Sequence, residues 1–346
     1  MRLVALDLIR FFAAMAVVLY HYTAREGFKE FEGIAEVTKF GYLGVPLFFI
    51  ISGYVIALSA KNRTAMEFAI SRFVRLYPAF WCGMVFTILV TIYYAQVSFD
   101  PIMIAANATM LNDYFDIENI DGVYWTLQAE LKFYACMFLL IFFGVFEKYK
   151  IWLTTWLLLT ISFLFFGQPF FMGWFISPYY SSFFIAGIAF YLIQSQGKTF
   201  FNLGALFVSL VISAVMAYQQ TNSFFKEPSD LDRIIAIMLI VSFYLIFYGL
   251  ITGRVPLKSR KIYIVLGSLT YPLYLIHGFA GTSIIDYYRF SYSDTSIVLI
   301  TTVLMLFVSW LIHIGIEKKF ATPLKLLLLN NLSAHKRKTK TIPKND

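Results

Sequence analysis

Charge is scarce in this chain. Only 14% of its 346 residues are Asp, Glu, Lys or Arg, against about a quarter in a soluble domain, which excludes an ordinary water-soluble protein. Cysteine is scarcer still. Cys82 and Cys136 both lie inside apolar segments; they leave no disulfide framework and no metal-ligand cluster, and read as two buried structural thiols. No stretch between the apolar runs is long enough for a separate soluble domain, and neither an internal repeat nor a low-complexity tract is present. A cleavable signal peptide is not expected, because the first apolar run carries Asp7, Arg10 and His21 and has no clear small-x-small cleavage site.

Apolar side chains are what the chain has in excess. Hydrophobic residues make up 60% of it and aromatic residues 19%, gathered into runs near the roughly 20 residues a helix needs to cross a bilayer. Such runs stand at 4–23, 42–60, 77–96, 123–146, 151–167, 175–194, 200–219, 234–251, 262–285 and 296–316. The expected fold is all-α, a polytopic integral membrane protein with about ten transmembrane helices.

The net charge of +8 would suggest nucleic acid in a soluble protein, but its placement points elsewhere. With the N-terminus inside, about 20 of the 28 Lys and Arg fall on the inner side, among them Arg2, Lys61, Arg63, Arg72, Arg75 and Lys258. Arg25, Lys29, Lys39, Lys226, Arg233 and Arg289 fall outside, and Arg10 and Lys132 within helices. This positive-inside pattern puts both termini in the cytoplasm. It divides the chain into a transmembrane domain over 1–320 and a basic cytoplasmic tail over 321–346, which reads as an orientation signal facing anionic lipid, a partner-binding arm being the lesser alternative. The outer loop from Ser98 to Gly122 holds five acidic residues and no basic one; it reads as a solvated loop, with a share in admitting a polar acceptor as the alternative.

Ionisable groups inside apolar runs are disfavoured by roughly 2.5–3.5 kcal/mol each on insertion scales, so those present are candidates for function. Asp7 and Arg10 can pair at i,i+3 on the first helix. His21 stands eleven residues after Arg10, about 16 Å along the axis and on the same face. Beside Tyr20 and Tyr22 it reads either as an interfacial aromatic-belt residue or as a general base, since a neutral imidazole takes a proton from a hydroxyl near neutral pH. Glu130 and His277 lie in two other runs at a depth that matches His21, with Gln128 and Lys132 as possible neighbours of Glu130. Glu130 alone also fits a structural ion pair. Arg72 and Arg75, with Lys61 nearby, read as topology signals or as phosphate ligands, because a guanidinium suits bidentate phosphate contact. His313 beside Glu317 looks structural, and Gly41, Gly44, Ser52 and Gly53 read as small residues that allow close helix approach.

Taken in order, these residues resemble the acyltransferase family 3 of membrane-bound O-acyltransferases, which modify bacterial surface sugars. The resemblance covers nearly the whole chain. It is carried by Arg10 with ten residues before His21, Gly41 to Tyr54 with its Phe-Phe-Ile-Ser-Gly core, Arg72-x-x-Arg75-Leu-x-Pro78, Trp125-Thr-Leu with Glu130 and Phe133-Tyr134, and Tyr271-Pro-Leu-Tyr-Leu-Ile-His277. Many relatives have arginine where Ser71 stands, an acidic residue where Pro46 stands and a second Glu where Leu131 stands.

The resemblance implies an O-acetyltransferase of the bacterial inner membrane that moves an acetyl group from cytoplasmic acetyl-coenzyme A to a sugar hydroxyl of a surface glycan such as O-antigen or exopolysaccharide. The expected partners are the acyl-coenzyme A donor, a lipid-linked or surface glycan acceptor and membrane lipid; no metal and no nucleic acid are expected. Within the resemblance His21 is the essential histidine, and Arg10, Arg72 and Arg75 hold the coenzyme, with Lys61 close by. In the mechanism built on this, His21 is the base, Glu130 orients or stabilises its imidazole, and His277 assists the acceptor or the oxyanion; an acyl-histidine route is the variant. The competing class is a glycan or proton-coupled transporter, which intramembrane His and Glu also suit.

Overall fold

The apolar runs fold as helices, and a computed structural model describes residues 4–24, 29–167, 172–255 and 260–340. No strand occurs among the described residues. α1 (Val4–Leu19) widens at its end into a π-turn over Tyr20–Ala24. Two 3-10 turns, Lys29–Phe31 and Lys39–Leu43, flank α2 (Glu32–Thr38) and lead into α3 (Gly44–Ala60). The chain continues through α4 (Ala65–Tyr94), α5 (Pro101–Ala108), α6 (Trp125–Phe142), α7 (Tyr149–Phe166) and the single-turn α8 (Met172–Phe175). Then come α9 (Pro178–Gln196), α10 (Phe200–Phe224) and α11 (Asp230–Ile251). α12 (Lys261–Ile276) breaks by 70° into α13 (Phe279–Tyr288). α14 (Asp294–Ile312) passes through a second π-turn, His313–Glu317, into α15 (Lys318–Lys340).

Among the described residues eight helices are long and apolar enough to cross a membrane, nine if the bent α12–α13 pair counts as one span. α9 fills the sixth expected run but is not among them: Tyr179, Tyr180, Ser181, Ser182 and two glutamines dilute it. It packs between α3 and α10 and is buried along most of its length, so it does not need an apolar outer face. Large apolar side chains cover the outside of the bundle instead, Phe166 at 86% exposure and Leu299 at 62% among them. A surface of that kind belongs in lipid, and the chain is a multi-pass membrane protein.

Inside lipid the hydrophobic effect does not hold helices together, so close backbone contact must. Gly44 meets the Ala13 carbonyl of α1, and Gly53 and Gly187 face each other where α3 crosses α9; none has room for a Cβ. The glycines of this run therefore pack as expected. Ser52, among them, has another use.

Two expectations about boundaries change. The third run begins at Ala65 rather than 77, because Thr64 and Glu67 form a capping box: Glu67 N donates to Thr64 Oγ1 at 3.3 Å and Thr64 N to Glu67 Oε2 at 3.0 Å. Pro78 sits inside a helix of 30 residues, and Ser71, Arg72 and Arg75 ride on its first turns.

The acidic loop keeps Asp100, Asp113, Asp116 and Glu118 exposed, as a solvated loop would, but it is held against the bundle. Tyr77 Oη donates to Thr109 O at 2.8 Å and Trp81 Nε1 to Ala108 O at 2.9 Å. Tyr77 is 17 residues before the end of α4, so the segment folds back along the bundle by about 25 Å. Lys132 closes it with an ion pair to Asp113 at 2.6 Å, and Gln128 donates to Asn112 and Asn119. These two α6 residues thus serve the folded-back segment and not Glu130. A polar backbone at this depth is tolerated because such partners satisfy it.

The described helix also runs on past 320: α15 packs against α4. The tail beyond Lys340, together with Arg2, Arg25, Lys258 and Lys344 of the charge pattern, lies outside the described residues.

Candidate active site

Five helices close a ring: α1 touches α3, α3 touches α6, α6 touches α4, α4 touches α12, and α12 returns to α1. They enclose a cavity of about 470 Å³. The order of lining residues along each helix gives it a direction. At one end stand Arg63, Ser71, Arg72, Arg75 and Lys325; Arg10, Ser52, Glu130 and Tyr134 follow; Phe48, Thr126 and Tyr274 close the other end.

The basic end is built around Ser71. Its Oγ accepts from Arg72 Nε at 3.2 Å and Nη2 at 3.1 Å, and from Arg63 Nη1 at 3.1 Å. Arg72 also lies over the rings of Phe68 and Tyr134 and has no carboxylate partner among the described residues. Arg75 differs. Its Nη1 meets Glu317 Oε1 at 2.7 Å, and Glu317 Oε2 meets His313 Nδ1 at 2.7 Å. His313 is therefore structural, as expected. Arg10 lies within electrostatic reach of Asp7, Glu130 and Arg75. Lys61 is exposed at the end of α3 and does not line the cavity. Arg63 and Lys325, which lie outside the motifs, do line it; Arg63 stands two residues from Lys61.

At the far end the two histidines meet. The His21 and His277 rings are 5.2 Å apart in an edge-to-face arrangement, with Tyr20 at 5.1 Å from His21 and Tyr274 at 5.2 Å from His277. Matched depth along two helices thus became contact. His21 sits in the π-turn that ends α1, a distortion found often at functional sites. His277 is wholly buried. Its Nδ1 lies 2.9 Å from the Tyr274 carbonyl, and because a carbonyl only accepts, Nδ1 carries the hydrogen. Nε2 then holds the lone pair, and it has no hydrogen-bond partner. In that form His277 accepts a proton or a hydrogen bond and does not donate one to an oxyanion.

Glu130 does not join them. It accepts from Ser52 Oγ at 2.5 Å and Tyr134 Oη at 2.6 Å, which commits its carboxylate to the middle of the cavity. Thr126, one turn earlier on α6, is the residue that reaches Tyr274, at 2.9 Å between hydroxyls. Glu130 is therefore about one helical turn, near 5 Å, short even of the Tyr274 hydroxyl, which itself stands before the histidines. The depth estimate missed because α6 starts from the folded-back segment and not from the membrane surface. Ser52, Tyr134 and Tyr274 complete the site, and within the family motifs they stood unassigned.

Among the described residues no group of three or more His, Cys, Asp or Glu converges as a metal site.

A ring of membrane helices around a cavity that runs from arginines to Tyr274, with a histidine pair directly behind that ring, has the layout of a membrane enzyme site. The family match says which kind: residues 3–314 match the model of the acyltransferase domain of family 3, and the chain belongs to that family. Among curated proteins it is similar to ORF330 of Acidianus two-tailed virus, provisionally named an acetyltransferase, with 23% identity over 282 residues, 78% of this chain and 80% of that one. It is also similar to the acyltransferase MdmB of Streptomyces mycarofaciens, with 33% identity over 81 residues, 22% of this chain and 21% of that one. No solved structure matches. The protein is an acyltransferase, and the transporter reading falls away.

Proposed function

We propose that the protein is an O-acetyltransferase of the bacterial inner membrane, with about ten spans and both termini cytoplasmic, that takes acetyl from cytoplasmic acetyl-coenzyme A and gives it to a sugar hydroxyl of a surface glycan such as O-antigen or exopolysaccharide. The observation that supports this best is the cavity itself: a mouth of cations without enough carboxylates to neutralise them, ending at Tyr274, one ring short of two adjacent imidazoles. A donor with several phosphates on one end and a thioester on the other matches that distribution.

In this reading the phosphates rest on Arg72, Arg63 and Lys325, with Arg75 held beside them by Glu317. The arm of the donor passes Arg10 and Glu130 towards Tyr274. His21 takes the proton of the acceptor hydroxyl as its oxygen attacks the thioester carbonyl; the tetrahedral intermediate collapses to the ester, and the departing thiolate takes that proton back from His21. The bare Nε2 of His277 accepts a hydrogen bond from the imidazolium as it forms, the task first expected of Glu130. Glu130 instead keeps Arg10 in place across the middle of the cavity.

The test is purified protein in lipid nanodiscs with radiolabelled acetyl-coenzyme A. Binding and slow hydrolysis of the donor are expected, and His21→Ala should abolish hydrolysis while donor binding stays. Hydrolysis retained in His21→Ala removes His21 from the chemistry; mass analysis of surface polysaccharide from cells with and without the protein identifies the acceptor.

A further inference from the structure

Asp121 closes the acidic segment and is 1% exposed. A carboxylate that deep is retained for a reason, and its hydrogen bonds give one. Asp121 Oδ2 accepts from Phe279 N at 2.7 Å, and Oδ1 accepts from Val123 N at 3.2 Å. Phe279 begins α13, where the first backbone N–H groups have no helical partner and the helix end favours an anion. Val123 belongs to the 3-10 turn, Gly122–Tyr124, that begins α6. One side chain therefore ties the starts of two helices together, directly beyond His277.

The imidazole depends on that tie. His277 is the last residue held by α12, through its N–H to Leu273 O at 3.1 Å, and its ring is fixed to the Tyr274 carbonyl. At Gly278 the chain turns, and α13 leaves at 70°. A Cβ on Gly278 would stand 2.9 Å from the Asp121 carboxyl carbon, so the break fits around the carboxylate with nothing to spare. α13 in turn packs on the π-turn that carries His21, with Gly281 seated against the Tyr22 hydroxyl. Both histidines thus take their places from the angle between α12 and α13.

Resting on the reading of the histidine pair as the reacting groups, we infer that Asp121 is the positioning residue of that pair, holding the α12–α13 break so that the His277 lone pair faces His21. In this assignment Asp121 takes no part in the proton transfer itself. Its replacement acts through the two rings.

The experiment is a double-mutant cycle on hydrolysis of radiolabelled acetyl-coenzyme A by the full-length protein in nanodiscs, with Asp121→Asn, His277→Gln and the double variant. Asn keeps the shape but offers an amide N–H where Val123 or Phe279 needs an acceptor. Asp121→Asn should lower kcat on the order of 100-fold, the scale of a misplacement near 1 Å, with KM for the donor unchanged. In the His277→Gln background it should lower the residual rate no further, since the group it positions is gone. An equal further loss in that background, or a rise in KM, overturns the inference and makes Asp121 a general support of the fold. If Asp121→Asn does not yield folded protein, Gly278→Ala replaces it in the same cycle with the same expected result, because its methyl group displaces the carboxylate without removing its charge. Full activity in His277→Gln alone would overturn the reading beneath, an outcome distinct from either of these.

Discussion

Arg72 and Arg75 stand one turn apart in a single motif, yet the structure gives them different partners, and their removal should have different effects. Arg72 bonds Ser71 and has no carboxylate among the described residues, so its charge is open to a ligand. Arg75 bonds Glu317, which is nearly buried, while the Arg75 side chain itself is 47% exposed. A hydrogen bond to a charged group contributes about 1.5–3 kcal/mol, so Arg72→Ala should weaken binding of coenzyme A by roughly 10- to 150-fold, at about 1.4 kcal/mol per decade. Arg75→Ala should weaken binding little. It should lower thermal stability by about 1 kcal/mol, the scale for a half-solvated pair, because Glu317 keeps its second contact to His313. Isothermal titration with coenzyme A and thermal melts of both variants in nanodiscs measure the two effects separately. Tighter dependence on Arg75 than on Arg72 in the titration would refute the assignment and make the Arg75–Glu317 pair the donor site.

Two further outcomes follow from the same geometry. Glu130→Gln should reduce kcat more than donor binding, since it leaves Arg10 without its facing charge in mid-cavity while the basic mouth stays intact; unchanged kcat would show Arg10 to be held by Asp7 alone. Gly187→Ala, whose methyl group would press on Tyr54 N at 2.5 Å and Gly53 Cα at 2.8 Å, should destabilise the α3–α9 contact by about 1–3 kcal/mol, read as a lower melting temperature, whereas Gly204→Ala, with open space around it, serves as the neutral control.

The helices and the histidine pair were legible because each rests on a local rule. Apolar runs name the spans, and an imidazole in a span stands out by what it costs to place there. His21 and His277 were matched by counting residues from span ends, and the count worked because α1 and α12 run regularly up to those residues. It failed for Glu130, whose helix starts from a segment folded back against α4 and α6. Nothing local distinguishes that segment: Asp113 and Asp121 look like loop carboxylates until Lys132 and Phe279 are brought to them by the fold. The different commitments of Arg72 and Arg75 were hidden for the same reason, since Glu317 is 242 residues from Arg75.

Tyr274 connects the two ends of the site. Its ring closes the cavity against Phe48, its hydroxyl meets Thr126, and its carbonyl holds His277 Nδ1. Those contacts place Tyr274 between the cavity and the imidazoles, and because its carbonyl belongs to the backbone of α12, the bond that sets the His277 tautomer does not depend on where the ring stands. In the proposed reaction a thioester would reach the histidine pair only past this ring, with the donor filling the cavity as far as Tyr274. Water arriving alone gains no such contact, and on that reading the site favours transfer over idle hydrolysis.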